Sequence, residues 1–387
     1  MKSAQISEFL QERIDVKDFP SAVYLVAEKG EVVFTDALGF AVVEPEKIAA
    51  NLNTIYDLAS LTKVLVTGLL CAKLIETGEL SLSDKISKYF IEFDTDEKRE
   101  ITIENLSTHT SGFVAWLPFY SDNEYCADVE RTIELISQKE LLNPPNTKVV
   151  YSDLNFILLG HLVEKVDDNF QTYLNAIARK EIFTPLEFER TCFSPHKSLL
   201  KEIAASEKGN EFEKQTCIEL GYEIEFPHFP FTPFRDYQIW GEVHDGNCYF
   251  MNGVSGHAGL FSTAFETFKI AQQFLAEESV LLNPETCKLF RTNFTPNLNE
   301  ARSIAFQLAE TKDSTAGAAL AKDSFGHLGF TGTSLWIEPE NERTFILLTN
   351  RTHARQLPFA NINPVRRKFH ELAAQELDEK NGGKSQL

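Results

Sequence analysis

A serine and a lysine three residues apart, Ser60 and Lys63, offer the groups that nucleophilic catalysis needs. Positions i and i+3 of a helix lie on the same face, so the hydroxyl and the amine could meet there. An uncharged lysine could then accept the hydroxyl proton and activate the serine. The same spacing recurs at residues 194–197 and 198–201, so spacing alone does not select one of the three. The first is distinguished by the apolar helix pattern that follows it and that Gly78 ends.

Five segments, read in order, resemble the motifs of the serine β-lactamase and penicillin-binding protein superfamily. They resemble in particular its class C β-lactamase-like branch, which also contains esterases and D-amino-acid peptidases. The segments are residues 57–63, 106–112, 151–153, 256–263 and 327–332. Any one of these matches would be weak, but their shared order over about residues 20–375 makes the resemblance specific.

The resemblance implies roles for several residues. Ser60 would be the nucleophile that carries the acyl group, and Lys63 would accept its proton, alone or through Tyr151. Tyr151 would then protonate the leaving group and activate the water that hydrolyses the acyl-enzyme. The oxyanion hole would consist of the backbone N–H groups of Ser60 and Phe330. Gly329 would let the substrate lie close to the edge strand.

Two positions depart from the family pattern, and both bear on the chemistry. Asp153 stands where the second motif, Tyr-x-Asn, has asparagine, and its carboxylate would either keep Lys63 protonated or position it by a salt bridge. His327 stands where the third motif, Lys-Thr-Gly, has lysine. A histidine with an ordinary pKa of about 6.5 is mostly neutral at pH 7, which weakens the case for β-lactams, whose carboxylate needs a cation. If His327 keeps an ordinary pKa and contacts an anionic substrate, we expect affinity to fall between about pH 5.5 and 7.5 as it loses its charge.

Further residues are candidates for the rim of the substrate site. Asn363 and Arg366 resemble the Asn-Pro-x-Arg element that class C enzymes use near the substrate carboxylate, and the arginine could supply a planar fork. The alternative there is a helix start with a solvated arginine. His244 and Asn247 could reach the rim or could only pack within a loop. No spacing such as His-Glu-x-x-His accompanies them, so we expect no metal and no cofactor.

The elements that must position these residues can be read from the hydrophobic pattern. Residues 22–38 alternate around Lys29 and Gly30 as a hairpin, and residues 334–349 form a second β-rich pair. A helical pattern over residues 364–377 closes the chain. Between the two hairpins, helical patterns cover residues 60–77, 103–108, 129–139, 153–166 and 170–179. Strands near both termini predict one antiparallel sheet.

Together with the resemblance, these patterns predict an α+β, β-lactamase/transpeptidase-like fold: an antiparallel sheet formed from both chain termini, flanked by helices, with a largely helical insertion. We expect a single catalytic domain over residues 1–387. Its parts would be an α/β subdomain of about residues 1–85 and 320–387 and a helical subdomain of about residues 86–319. The irregular, proline-containing residues 205–253 are expected to form part of the pocket or a lid. Nearby aromatic residues could line an acyl pocket or form core: Trp116, Phe119, Tyr120, Phe231 and Trp240.

The composition limits the partners. The 387 residues contain 37 Lys plus Arg and 57 Asp plus Glu, and the resulting charge of −20 disfavours nucleic acid. Six widely spaced cysteines without a CxxC pair are typical of free thiols in a reducing compartment. Neither a signal-peptide pattern nor an apolar run of about 20 residues is present. We therefore expect a cytoplasmic protein without a membrane span, or a periplasmic one if an export signal was removed.

These inferences combine into a functional expectation. We expect an acyl-serine hydrolase that works through a covalent acyl-enzyme, an esterase or a D-amino-acid peptidase or amidase on small acyl substrates. The first alternative is a true class C-type β-lactamase. The second is a non-catalytic penicillin- or peptide-binding protein of the same fold, and the presence of Ser60, Lys63 and Tyr151 argues against it.

Overall fold

The computed structural model describes residues 1–121, 128–167, 173–222 and 234–384. Its strands are β1 (Ser21–Glu28), β2 (Glu31–Val42), β3 (Ile48–Ala49), β4 (Tyr56–Asp57), β5 (Cys192–Phe193), β6 (Leu260–Ser262), β7 (Gln307–Leu308), β8 (Phe325–Leu328), β9 (Ser334–Glu338) and β10 (Arg343–Thr349). Its α-helices are α1 (Ala4–Asp15), α2 (Leu69–Thr77), α3 (Ile103–Ser107), α4 (Val129–Ser137), α5 (Asp153–Val166), α6 (Leu174–Ala178), α7 (Glu211–Glu219), α8 (Gly246–Phe250), α9 (Ala264–Ala271), α10 (Pro284–Cys287) and α11 (Asn363–Lys384). None of the described helices is long and apolar enough to span a bilayer.

The main sheet is built from both ends of the chain. Its seven strands lie in the order β3-β2-β1-β10-β9-β8-β7, and β1 pairs antiparallel with β10. Lys29 and Gly30 form the turn between β1 and β2 with φ values of 51° and 72°. A two-residue hairpin with a type I′ turn needs positive φ at both positions, and glycine adopts it at little cost. The hairpins expected at both ends of the chain, and the sheet that they share, are confirmed.

Strand β1 is buried along almost its whole length because both faces of the sheet are covered. Val23 and Leu25 belong to the larger hydrophobic cluster, which includes the helices of the central region. Tyr24 and Val26 belong to a second cluster with residues of α1 and α11. Successive side chains of a strand point to opposite faces, so a strand between two cores reads as a continuous apolar run.

A smaller sheet, in the order β4-β6-β5, supports the candidate nucleophile. Strand β4 leads the chain to Ser60, and the following helix begins with a π-helical segment, Lys63–Gly68, that continues into α2. This helix ends at Gly78, whose φ of 78° is the left-handed conformation of a helix C-cap. The expected helix is therefore present, with a widened turn at Lys63; such π segments are frequent at functional sites.

The central region differs from the sequence-based expectation in one respect. Residues 205–253 contain helices α7 and α8 instead of being irregular throughout. In α7 only Glu213 and Cys217 are buried, so the helix lacks the apolar stripe that would reveal it in the sequence. The pattern over residues 153–166 is realised as α5 with the same bounds. Residues 223–233 and the first part of the pattern over 170–179 lie outside the described residues.

Candidate active site

Ser60 lies in a tight turn between β4 and the helix that follows. Just before it, Ala59 has a φ of 48°, the left-handed conformation that is costly for a residue with a Cβ. Asp57 stabilises this turn with both carboxylate oxygens. Oδ1 accepts from the N–H of Ala59 at 2.9 Å, and Oδ2 accepts from the N–H of His244 at 2.8 Å. The turn places Ser60 in the wall of a cavity of about 790 Å³.

Lys63 is completely buried, and its ammonium is surrounded by oxygen atoms. Nζ donates to Oγ of Ser60 and to the carbonyl oxygen of His257, both at 3.0 Å. It also lies 2.8 Å from Oδ1 of Asp153. The contact with Asp153 is an ion pair, and Oδ1 accepts no hydrogen bond from a described residue. Burial by itself would lower the pKa of Lys63, but Asp153 and Tyr151 outweigh burial and raise that pKa above its ordinary value.

Tyr151 packs over Lys63 just before α5. Its ring centroid is 5.1 Å from Nζ of Lys63 and 4.6 Å from the ring centroid of His109. His109 also holds the backbone here, because its Nδ1 accepts the N–H of Ser152 at 3.1 Å. Burial raises the pKa of Tyr151 despite the attraction of the Lys63 charge, so the phenol is protonated at neutral pH.

The segment after β8 packs directly against the nucleophile turn. A Cβ at Gly329 would come within 2.5 Å of the carbonyl oxygen of Leu58, so glycine is required for this close approach. The hydroxyl of Thr333 donates to the same carbonyl oxygen at 3.0 Å. Within the described residues, the backbone N–H groups of Ser60 and Phe330 have no hydrogen-bond acceptor. Both residues line the cavity, as the expected oxyanion hole requires.

His327 lines the cavity as a neutral ring. Burial, together with the nearby positive charges of Lys63 and Arg302, lowers its pKa far below the ordinary value of about 6.5. The ring Nδ1 lies 2.9 Å from the carbonyl oxygen of Leu328. The expected change of charge between about pH 5.5 and 7.5 therefore does not occur in this structure.

Arg366 also lines the cavity, but its guanidinium is already bonded to the protein. Nη2 donates to the carbonyl oxygens of Gly329 at 2.6 Å and Thr333 at 2.8 Å. Nη1 donates to Oδ1 of Asn363 at 2.8 Å. Burial lowers the pKa of Arg366 to about 9. This arginine is not solvated: it braces the segment that carries the Phe330 N–H group.

Of the two loop residues considered for the rim, His244 reaches the cavity wall and Asn247 does not. His244 Nε2 lies 2.7 Å from Oε2 of Glu207, and its ring stacks on Phe330 with centroids 5.3 Å apart. Asn247 is completely buried, and its amide bonds to backbone groups of residues 117–119. Asn247 thus holds a loop beneath the wall.

The aromatic side chains considered for an acyl pocket also differ in whether they reach the cavity. Trp116 lines the cavity, whereas Phe119 and Tyr120 are buried away from its wall. Trp240 packs against a small separate hydrophobic cluster. Phe231 lies outside the described residues. Aromatic composition alone could not make this distinction, because it depends on the path of the chain around the cavity.

Arg302 also lines this cavity, although the sequence alone did not indicate it as a site residue. The residue is 5% exposed, and its guanidinium carbon lies 5.9 Å from the ring centroid of Tyr151. Nε and Nη2 donate to Oε2 of Glu300 at 3.1 and 2.6 Å. Nη1 makes no hydrogen bond to a described residue. No motif marks this arginine, which comes from the loop before β7.

The arrangement can be compared with known proteins. A family model described as Beta-lactamase matches residues 6–363. The chain belongs to the beta-lactamase family. It is 31% identical over 377 residues to an Escherichia coli (strain K12) protein named "Putative D-alanyl-D-alanine carboxypeptidase", with 90% of this chain and 82% of the relative covered. Family membership confirms the expected fold class and identifies this beta-lactamase family member as a serine hydrolase.

Solved structures agree on the fold. The hydrolase EstCE1, described as having promiscuous acyltransferase activity, matches with a TM-score of 0.70 at 18% identity, covering 95% of this chain and 97% of that one. A class C beta lactamase from Rhodobacter sphaeroides matches with a TM-score of 0.68 at 16% identity, covering 95% and 98%. At these identities the likeness bears on the fold alone.

One cluster in this beta-lactamase family member has the spacing of metal ligands. Asp153, Asp245 and His257 offer ligand atoms within 4.8 Å of one another. This is the one such cluster found among the described residues. A cation already lies there, because Nζ of Lys63 is 2.8 Å from Asp153. Asp245 is further used by Nε2 of His257 at 3.0 Å and by the N–H of Cys248 at 2.7 Å. We assign the cluster to the lysine and not to a metal.

Proposed function

We propose that this serine hydrolase forms a covalent acyl-enzyme on Ser60 and removes a C-terminal D-amino acid residue from short peptides. The observation that carries the proposal is the 3.0 Å contact between Oγ of Ser60 and Nζ of Lys63 inside a cavity that also holds Tyr151. The name of the 31%-identical Escherichia coli relative, "Putative D-alanyl-D-alanine carboxypeptidase", supports the choice of a D-amino acid peptide.

The proposed chemistry follows from the groups around Ser60. Oγ attacks the carbonyl carbon, and its proton passes to the Lys63 and Tyr151 pair. The N–H groups of Ser60 and Phe330 would receive the developing oxyanion, and one such donor typically contributes about 2.7–4 kcal/mol. Tyr151 then protonates the leaving amine as the C–N bond breaks. Water attacks the ester on Ser60 in the second half of the reaction, with the same groups carrying the proton back.

Arg302 is proposed as the cation that receives the substrate carboxylate. His327, in the place of the family lysine, is neutral. The Nη atoms of Arg366 already donate to backbone carbonyls and to Asn363. Arg302 keeps Nη1 without a bond to any described residue and faces the cavity beside Tyr151. A guanidinium in this position matches a carboxylate well.

The other predicted binding residues keep this role as proposals where they reach the cavity. Those that line it are Asp153, His327, Gly329, Asn363, Arg366 and His244. Asn247 is not proposed as a contact residue, because its amide is hydrogen-bonded to backbone groups.

An esterase is the second candidate function. The observation that favours it is the neutral state of His327, which removes the positive charge that the family motif would place there. Apolar and aromatic side chains also line the cavity, among them Trp116, Phe212 and Leu220. An uncharged ester could therefore bind without using Arg302.

The two functions can be separated with a substrate panel. The panel contains a peptide ending in D-Ala-D-Ala, the same peptide as its C-terminal amide, p-nitrophenyl acyl esters and nitrocefin. We expect the free-carboxylate peptide to have the highest kcat/KM. Preferential turnover of the esters would favour the esterase instead, and preferential turnover of nitrocefin would favour a β-lactamase.

The same panel tests the nucleophile. Ser60→Ala should reduce turnover of every substrate by at least about a thousandfold, because no other group can form the acyl-enzyme. Ser198→Ala is the matched control, since Ser198 begins a second Ser-x-x-Lys string on the protein surface. Full activity in Ser60→Ala, or equal losses in both variants, would refute the assignment of Ser60.

A further inference from the structure

Asp153 occupies a position from which it contacts Lys63 and also lines the cavity. It is the first residue of α5, where a carboxylate is favoured by the helix dipole. Its side chain is 17% exposed, whereas that of Lys63 is 0% exposed, and Oδ1 lies 2.8 Å from Nζ. The contact therefore joins a buried ammonium to a carboxylate that has been largely removed from water, a setting in which the attraction is strong.

This contact pairs the charge of Lys63 with a carboxylate. Two N–H groups of Nζ donate to Ser60 and to the carbonyl oxygen of His257. A protonated amine has no lone pair, so Nζ cannot accept a proton from Ser60 while it remains an ammonium. In this arrangement the lysine is a hydrogen-bond donor to the nucleophile and not its base.

We propose that Asp153 holds Lys63 as an ammonium in the free enzyme, so that Ser60 is acylated rapidly only in alkaline solution. Asp153 is thus a positioning residue that sets the pH range of the enzyme. The inference rests on the proposed role of Ser60 as the nucleophile. An asparagine at this position, as in the family motif, would keep a polar contact with Lys63 without the charge.

The other described groups around Lys63 do not supply the negative charge by which Asp153 would keep it protonated. Burial lowers the pKa values of His109 and His327, so both rings are neutral, and Tyr151 is protonated. Arg302 adds positive charge near these rings, which works against an ammonium. Asp245 is the other carboxylate of the cluster, but its Oδ1 is bonded to His257 and to the first turn of α8. Asp153 alone forms an ion pair with Nζ within the described residues.

The proposal fixes where the proton goes during acylation. Lys63 first loses a proton to solvent, which is favoured as the pH rises. Its free lone pair then takes the proton of Ser60 while Oγ forms a bond to the acyl carbon or to the phosphorus of an inhibitor. With a fluorophosphonate, the P–F bond breaks and fluoride leaves as the anion. The reaction with this inhibitor requires no leaving-group protonation, so its rate reports on the Ser60 and Lys63 step.

The experiment measures the rate of fluorophosphonate labelling of Ser60 by intact-protein mass spectrometry between pH 6 and 10. In the parent protein the rate should rise about tenfold per pH unit, because each unit increases the uncharged fraction of Lys63 tenfold. In Asp153→Asn the curve should move to lower pH. Removal of a close opposite charge shifts a pKa by about 1–3 units, so labelling at pH 7 should become at least about tenfold faster.

Glu211→Gln is the control for the loss of one negative charge. Glu211 is exposed on α7 beside the cavity and does not line it, so its labelling curve should match that of the parent. Circular dichroism and thermal unfolding establish that Asp153→Asn is folded. Should that variant fail to fold, the parent curve can still refute the proposal, because a rate that is flat between pH 6 and 10 contradicts a lysine held as an ammonium.

The failures of the two proposals look different. Labelling of Ser60 with the same pH curve in parent and Asp153→Asn would overturn the role of Asp153 and leave the nucleophile intact. Slower labelling of Asp153→Asn at every pH would mean that the carboxylate itself takes the Ser60 proton or only orients Lys63. That result would also overturn the inference. No labelling of Ser60 at any pH would overturn the proposed function itself.

Discussion

The proposed nucleophile centre and the proposed recognition side of the cavity are assembled in different ways. The centre consists of Ser60 and Lys63 on one helical turn with Tyr151 packed over them. The recognition side takes Arg302 from the loop before β7 and Arg366 from α11. The centre depends on short-range spacing, whereas the recognition side depends on segments that meet only in the folded chain. Motif matching therefore finds the chemistry more readily than the substrate.

The two sides also differ in how their charges are used. On the nucleophile side, the Lys63 ammonium donates to Ser60 and His257 and forms an ion pair with Asp153. On the recognition side, Arg366 is bonded to carbonyls of the segment between β8 and β9, and Arg302 retains a donor toward the cavity. A guanidinium whose Nη atoms are bonded to backbone carbonyls holds structure together, whereas one with a free Nη group facing a cavity can bind a ligand. This difference separates a bracing arginine from a binding arginine.

The largest effect is expected at Arg302. Arg302→Gln should lower kcat/KM for a peptide with a free C-terminal carboxylate by at least about 30-fold, which corresponds to about 2 kcal/mol for a lost charge-assisted contact. Turnover of a p-nitrophenyl acyl ester should change by less than about threefold. Steady-state kinetics on both substrates measures the split.

Arg291→Gln provides the matched control for Arg302, because Arg291 is exposed nearby in sequence and does not line the cavity. It should leave both activities unchanged. An equal loss on peptide and ester in Arg302→Gln would point to damage of the nucleophile centre and would remove the distinction between the two sides.

An intermediate effect is expected at Arg366. Arg366→Met removes the donor shared by the carbonyl oxygens of Gly329 and Thr333, so the free energy of unfolding should fall by about 1.5–2 kcal/mol. Urea unfolding followed by fluorescence measures the change. Lys368→Met, two residues along the same helix and half-exposed, should change it by less than about 0.5 kcal/mol. Unchanged stability in Arg366→Met would leave this arginine free for substrate binding.

The smallest effect concerns His327 and pH. The ring stays neutral in the folded protein because burial lowers its pKa, but in the unfolded chain it binds a proton below about pH 6.5. Unfolding then takes up a proton, so stability falls as the pH falls below about 6.5. His327→Gln should reduce this loss by up to about 1.4 kcal/mol per pH unit. Urea unfolding at pH 7, 6 and 5 measures the slopes, and equal slopes in parent and variant would contradict a neutral His327.

Much of the fold could be predicted because local patterns and end-to-end pairing agree. The alternation around Lys29 and Gly30 specifies a hairpin, and the motif order specifies the family. Helix α7 escaped prediction because it buries Glu213 and Cys217 instead of a regular apolar stripe. The role of Asn247 could not be read either, since a buried amide and a binding amide look the same in a sequence.

The sequence by itself determined the family, the sheet shared by the two termini and the pairing of Ser60 with Lys63, because each of these depends on local spacing or on motif order. The tertiary structure decided which charges are available. It buried His327 as a neutral ring, tied Arg366 to backbone carbonyls and brought Arg302 to the cavity. Charge state and availability depend on desolvation and on partners from distant segments, and these exist only once the chain has folded.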